Sequence, residues 1–103
     1  NIARLMSEHF LRDLTVKDYA VLSGRSLSTF TRKFRRIYNR SPQQWLIEAR
    51  LKHARDLVLL SDLSITEIAH SIGYDNVSHF IKTFREQFGN TPKQLRQADP
   101  GVS

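Results

Sequence analysis

The chain has 103 residues, 40% of them hydrophobic, with 16 Lys/Arg against 10 Asp/Glu and a formal net charge of +6, which allows one small domain or two very small ones sharing a core. There is no cysteine, so disulfide frameworks and thiolate metal sites are excluded, and a reducing cytoplasm is the compartment this composition suits. No apolar run approaches the roughly 20 residues that cross a bilayer, and no secretory signal is visible.

The charge is uneven. Residues 1 to 61 carry 12 Lys/Arg and 5 Asp/Glu, whereas residues 62 to 103 carry 4 and 5. Between Arg25 and Arg40 there are six Arg/Lys and no acid. A charge run alone reads as a solvated face, and a basic balance fits a polyanionic partner without specifying a fold. The chain begins with Asn1 and not Met, as expected of a piece of a longer protein.

In chain order, Ile2 to Leu11 reads as a first helix with Ile2, Leu5, Met6 and Phe10 facing inward. Thr15 then caps a short helix with Asp18 in its first turn, favourable at the positive end of the helix dipole. Gly24 is placed to stop that helix with a positive φ. Ser26 opens a longer helix, Leu27 to Tyr38, with Leu27, Phe30, Phe34 and Ile37/Tyr38 on one buried stripe. Asn39 ends it, and Ser41-Pro42 opens the next, proline being at the first helical position. Gln43 to Leu60 forms a long central helix whose apolar positions are Trp45, Leu46, Ala49, Leu51, Ala54, Leu57, Val58 and Leu60. Eighteen residues span about 27 Å.

The pattern then repeats. Leu14 to Gly24 lies over Leu63 to Gly73 at an offset of 49, and from Ser28 onward the offset is 50. Ser28, Phe30, Phe34, Arg35, Pro42 and Gln44 fall on Ser78, Phe80, Phe84, Arg85, Pro92 and Gln94. In this second copy Ser64 caps a helix bearing Glu67, and Gly73 stops it. Asp75 or Asn76 opens a helix from Val77 to Phe88, Gly89 ends it, and Thr91-Pro92 opens the last. Ala20 and Ala69 are small residues at which a second helix can cross closely. A short helix joined to a longer one by a glycine-containing turn makes a helix-turn-helix, and this chain contains the unit twice. Seven helices and no strand pattern result, an all-α fold. It divides into a first helix-turn-helix subdomain over 1–41, a linker helix over 42–60, a second subdomain over 61–98 and a tail over 99–103.

These residues resemble the AraC/XylS family of bacterial transcription regulators. The similarity runs from Leu14 to Leu95 and is most specific between Asp62 and Pro92, where Ile68-Ala69, Gly73-Tyr74, Ser78-His79-Phe80, Phe84-Arg85 and Gly89-Asn90-Thr91-Pro92 follow the family pattern. The chain departs from it at Leu95, where an aromatic is usual, at Asn39 in place of glycine, and at Lys33 in place of an apolar residue. The resemblance implies two helix-turn-helix units joined by a central helix, carboxy-terminal to an effector-binding or dimerisation domain. It also implies a function in transcription activated through contact with RNA polymerase.

On that reading Leu27–Tyr38 and Val77–Phe88 are recognition helices, entering adjacent major grooves of double-stranded DNA amino-terminal end first. Opposite the Phe stripe, Ser28, Thr31 and Arg32, then Ser78, His79 and Lys82, are the base-contacting candidates. Val77 and Ile81 are positioned for thymine methyl groups. Arg32 is the strongest of these, since a guanidinium pairs with guanine O6 and N7. Arg35, Arg36, Arg40, Gln43, Arg85, Thr91 and Lys93 are assigned to phosphates, which set register without reading sequence. Plainer alternatives stand beside these roles. Ser28 and Ser78 also suit a first helical turn, Val77 and Ile81 suit packing against the preceding helix, and Asp18 and Glu67 are available to pair with Arg35 and Arg85.

The two copies differ, so the DNA site is expected to be asymmetric. No phosphate-binding glycine loop or nucleophile–base set appears, so an enzyme is not expected, and neither is a cofactor. His9, His53 and His70 lack a second ligand at metal spacing. A basic helical module docking on an acidic protein, or an RNA binder, remains a rival that duplex binding separates.

Overall fold

The computed structural model describes residues 2–10 and 14–98. Among them are seven helices and no strand: α1 (Ile2–His9), α2 (Val16–Leu22), α3 (Leu27–Tyr38), α4 (Pro42–Leu60), α5 (Ile65–Ser71), α6 (Val77–Phe88) and α7 (Pro92–Ala98). Asn1, residues 11–13 and the tail 99–103 lie outside the described residues. None of the described helices is long and apolar enough to cross a membrane.

The helix limits follow from local chemistry. Thr15 Oγ1 accepts from the Asp18 backbone N–H, and Asp18 Oδ2 accepts from the Thr15 N–H, so two orphan donors are satisfied reciprocally. Ser64 and Glu67 repeat this box at the start of α5. Both carboxylates are held below their ordinary pKa values, chiefly by the backbone N–H of Thr15 or Ser64. Gly24 and Gly73 have φ of +73° and +94°. Each sits in a paired bond pattern that closes the preceding helix. Gly24 N–H donates to the Val21 carbonyl and Arg25 N–H to Ala20, and in the second copy Gly73 donates to His70 and Tyr74 to Ala69. Nothing lies within 4 Å of a Cβ built on either glycine, so the backbone angle, and not space, selects the residue.

Ser26 and Asn76 cap α3 and α6, accepting from Thr29 and His79 backbone N–H groups. This resolves the choice between Asp75 and Asn76 in favour of Asn76. Asn39 closes α3 in the left-handed conformation at φ 59°. Ser41 and Gln44, then Thr91 and Gln94, exchange side-chain and backbone bonds around the buried Pro42 and Pro92.

The chain forms two compact units, residues 1–49 and 50–103, dividing within α4. In the first, Ile2, Met6, Tyr19, Ala20, Phe30, Phe34 and Leu46 form the core, with Leu5, Phe10, Leu14, Val16, Tyr38 and Trp45 packed on it. The Phe34 and Tyr38 rings stack at 4.5 Å, and Trp45 meets both at about 6 Å. The Tyr19 hydroxyl donates to the His9 carbonyl at 2.6 Å, tying α2 to the end of α1. The second unit buries Leu51, Ala54, Val58, Ile68, Ala69, Ile72, Phe80 and Phe84. Fully burying each of the larger aliphatic and aromatic side chains among them contributes about 1.5–3 kcal/mol.

Three apolar positions depart from the periodicity. Leu27 and Ile37 are 48% and 59% exposed, and Leu60 is 85% exposed. Each stands at or beside a helix end, where the apolar stripe outruns the neighbour that covers it. At the end of α3 Tyr38, and not Ile37, joins the core.

Candidate nucleic-acid interface

Each unit presents one recognition-type helix. In the first, α2 packs against α3 and fixes its roll, because Phe30 and Phe34 are wholly buried. The opposite face is then forced outward. Ser28 and Arg32, one turn apart, are exposed; Thr31 is half-buried. Lys33, Arg35 and Arg36 are also exposed, so α3 carries four cations, and it has no acid. Arg40 and Gln43 follow in the corner between α3 and α4, both exposed. The Arg40 guanidinium is ion-paired with the Glu48 carboxylate, so a phosphate at Arg40 would have to share it or displace that partner.

In the second unit α5 packs against α6, and Phe80 and Phe84 are fully buried. Ser78, His79, Lys82 and Arg85 are exposed, whereas Val77 and Ile81 are half-buried. Partial burial leaves these two aliphatic side chains some surface but also gives them the packing role weighed above. Thr91 is half-buried and Lys93 exposed in the corner that opens α7. His79 is braced locally. Its ring lies 5.5 Å from that of Tyr74, which also meets Phe80 at 5.5 Å. The Thr83 hydroxyl donates to the His79 carbonyl at 2.8 Å. Burial pushes the Tyr74 phenol above its ordinary value, against a hydrogen bond with Thr83 and the charge of Arg50.

Neither Arg35 nor Arg85 pairs with the acid of its own copy among the described residues. The ion pairs there are Arg4–Glu8 and Arg40–Glu48. Asp18 and Glu67 are committed to their capping boxes, which leaves the two arginines available to an external anion.

Arg25 is not singled out by periodicity, yet it occupies the α2–α3 turn at the place Tyr74 takes in the second copy. Its Nη1 donates to the Ser23 carbonyl at 3.1 Å. The signal for it is a cation immediately after the turn glycine where the other copy has an aromatic ring. No group of His, Asp or Glu side chains that could hold a metal ion occurs among the described residues.

Residues 19–98 match the family model described as "Helix-turn-helix domain". The HTH-type transcriptional regulator ExsA of Pseudomonas aeruginosa is 37% identical over 92 residues, covering 89% of this chain and 33% of that protein. The virulence regulon transcriptional activator VirF of Yersinia enterocolitica is 34% identical over 95 residues, covering 92% and 35%. The chain thus spans about a third of the length of the curated relatives it matches. Among solved structures, the DNA-binding domain of AdpA, a global transcriptional factor in complex with a target DNA, superposes with a TM-score of 0.87 at 32% identity, over 94% of this chain and 90% of that one. Two helix-turn-helix units in one all-helical chain, carrying the signature from Ile68 to Pro92 and these similarities, place this protein in the AraC/XylS family of bacterial transcription regulators, as a DNA-binding domain and not an enzyme.

Proposed function

We propose that the chain binds double-stranded DNA sequence-specifically, each unit laying its recognition helix in a major groove, at an asymmetric site from which transcription is activated through contact with RNA polymerase. The observation that carries this reading is the exposure pattern of α3. Ser28, Arg32, Arg35 and Arg36 stand outward while Phe30 and Phe34 are fully buried behind them. The second copy repeats it with Ser78, Lys82 and Arg85 outward over Phe80 and Phe84.

Near the amino-terminal ends, Ser28, Thr31 and Arg32, with Val77, Ser78, His79, Ile81 and Lys82, read base edges. Further along, Arg35, Arg36, Arg40, Gln43, Arg85, Thr91 and Lys93 meet phosphates and fix register. The site is asymmetric because Arg32 and Lys82, or Thr31 and Ile81, offer different chemistry at matching positions of the two helices. The target DNA in the AdpA complex and the name of VirF as a transcriptional activator support duplex binding and activation. The region missing relative to the longer relatives is the place for an effector or dimerisation domain.

Binding of a labelled duplex, followed by fluorescence anisotropy against salt, tests this. Neutralising phosphates with Arg35, Arg36, Arg40, Arg85 and Lys93 predicts a log–log slope of about −4 to −5, at about 0.9 per phosphate. A duplex of selected sequence should bind at least 10³-fold more tightly than random duplex, the lower end of the usual range. Equal binding to both would reduce the chain to a general polycation. Tighter binding to an RNA duplex would overturn the DNA reading.

A further inference from the structure

We infer that the two units do unequal work on DNA: the first grips any duplex, whereas the second docks only where its own base contacts are met. This rests on the duplex-binding reading above and extends it to how the complex assembles.

The inference comes from comparing repeat-equivalent positions. Arg32, Lys33, Arg35 and Arg36 of α3 fall on Lys82, Thr83, Arg85 and Glu86 of α6. All four α3 side chains are exposed, as are Lys82, Arg85 and Glu86. So where α3 presents four positive charges, α6 presents two and a negative one. Glu86 stands at the position of Arg36 and makes no ion pair among the described residues, although Lys82 lies one turn before it. Its charge therefore remains to meet whatever the helix approaches. In the turns, Arg25 of the first unit is replaced by Tyr74 of the second, and beyond the helices Arg40 is replaced by Asn90.

The remainder of each unit sharpens the contrast. Residues 1–49 hold nine Lys/Arg and four Asp/Glu; residues 50–103 hold seven and six. Of those seven, Arg96 spends its guanidinium on backbone carbonyl groups, and Arg55 lies over the Phe88 ring at 4.8 Å. Non-specific affinity for DNA is almost wholly phosphate neutralisation, so the first unit supplies it. Glu86 lies in the last turn of α6, away from the end that reaches bases, and so faces the phosphate backbone. There it opposes docking on any sequence and leaves the second unit dependent on Ser78, His79 and Lys82.

The test measures salt slopes on two duplexes, one selected and one random. For the unaltered chain the selected duplex should give a steeper slope than the random one, by about 2, because Arg85 and Lys93 add about 0.9 each only when the second unit docks. Glu86→Arg should steepen the random-duplex slope by about 1 or more and tighten random binding several-fold; Glu86→Gln should act in the same direction, less strongly. Matching thermal melts of the variants exclude misfolding at this exposed position. Equal slopes for the unaltered chain, or a random-duplex slope unmoved by both substitutions, overturn the division of labour while leaving duplex recognition standing. Absence of duplex binding overturns both.

Discussion

Arg96 and Val58 are joined across 38 residues of chain, the guanidinium Nε donating to the Val58 carbonyl at 2.9 Å. The same group donates to Leu63 at 2.8 Å, to Ser61 at 3.2 Å and to Leu57 at 3.4 Å. The last carbonyl groups of a helix have no partner within it, and here one side chain from α7 serves Val58 at the end of α4 and Ser61 and Leu63 in the turn into α5, while the Leu57 carbonyl also accepts from the Ser61 backbone N–H and hydroxyl. It is the clamp that ties α7, and with it the corner bearing Lys93, to the rest of the second unit.

Arg96→Met should therefore destabilise the second unit by about 2–4 kcal/mol, since hydrogen bonds from a charged donor contribute about 1.5–3 kcal/mol each and water recovers part of the loss at this half-buried position. Arg96→Lys should rescue little, because a point charge cannot span four acceptors in a fork. Urea unfolding followed by circular dichroism reads both. A loss under about 0.5 kcal/mol, the range of an ordinary surface substitution, would mean that the carbonyl groups are equally well served by water.

The capping boxes give stability a defined pH dependence. Asp18 and Glu67 have folded pKa values below their ordinary 3.8 and 4.5. The stabilisation they provide is present above those ordinary values and is lost as pH falls through the lowered ones. Asp18→Ala and Glu67→Ala should thus be less stable than the unaltered chain at neutral pH, with the gap closing on acidification. Thr15→Ala should cost about 1 kcal/mol by removing the other half of its box. A pH-independent gap would assign the effect of the acids to something other than their charge.

Core and surface separate cleanly at positions that look alike in the sequence. Phe34→Ala or Phe84→Ala should cost about 3–5 kcal/mol, as both rings are completely buried. Leu27→Gln and Leu60→Gln should stay within about 0.5 kcal/mol. Thermal denaturation checks the set; a large loss at Leu60 would indicate an apolar partner for the end of α4.

That contrast marks what the sequence discloses. The limits of α3 and α6 were legible because caps act over three or four residues: Ser26, Asn39 and Gly89 each declare a boundary locally, and the start of α6 was narrowed to Asp75 or Asn76. The outward face of α3 was legible too, since burying Phe30 and Phe34 forces Ser28 and Arg32 away from the core. Leu27, Ile37 and Leu60 were not, because periodicity finds a stripe but not where its cover stops. The Arg96 clamp was invisible for a different reason. Its partners lie 33 to 39 residues away, and nothing in an arginine on a short helix announces four carbonyl acceptors. Likewise the Arg40–Glu48 pair arises from the corner between two helices, which spacing alone does not define.

The most direct test of sequence reading by two unlike helices is selection of bound duplexes from a random pool, run in parallel on the unaltered chain, Arg32→Ala and Arg36→Ala. The unaltered chain should enrich one non-palindromic site. Arg32→Ala should lose preference at one or two base pairs of it, about 1–3 kcal/mol of discrimination, and keep the remainder. Arg36→Ala should recover the same site while binding every duplex more weakly. A palindromic site, or an Arg32→Ala pool identical to that of the unaltered chain, would contradict the assignment.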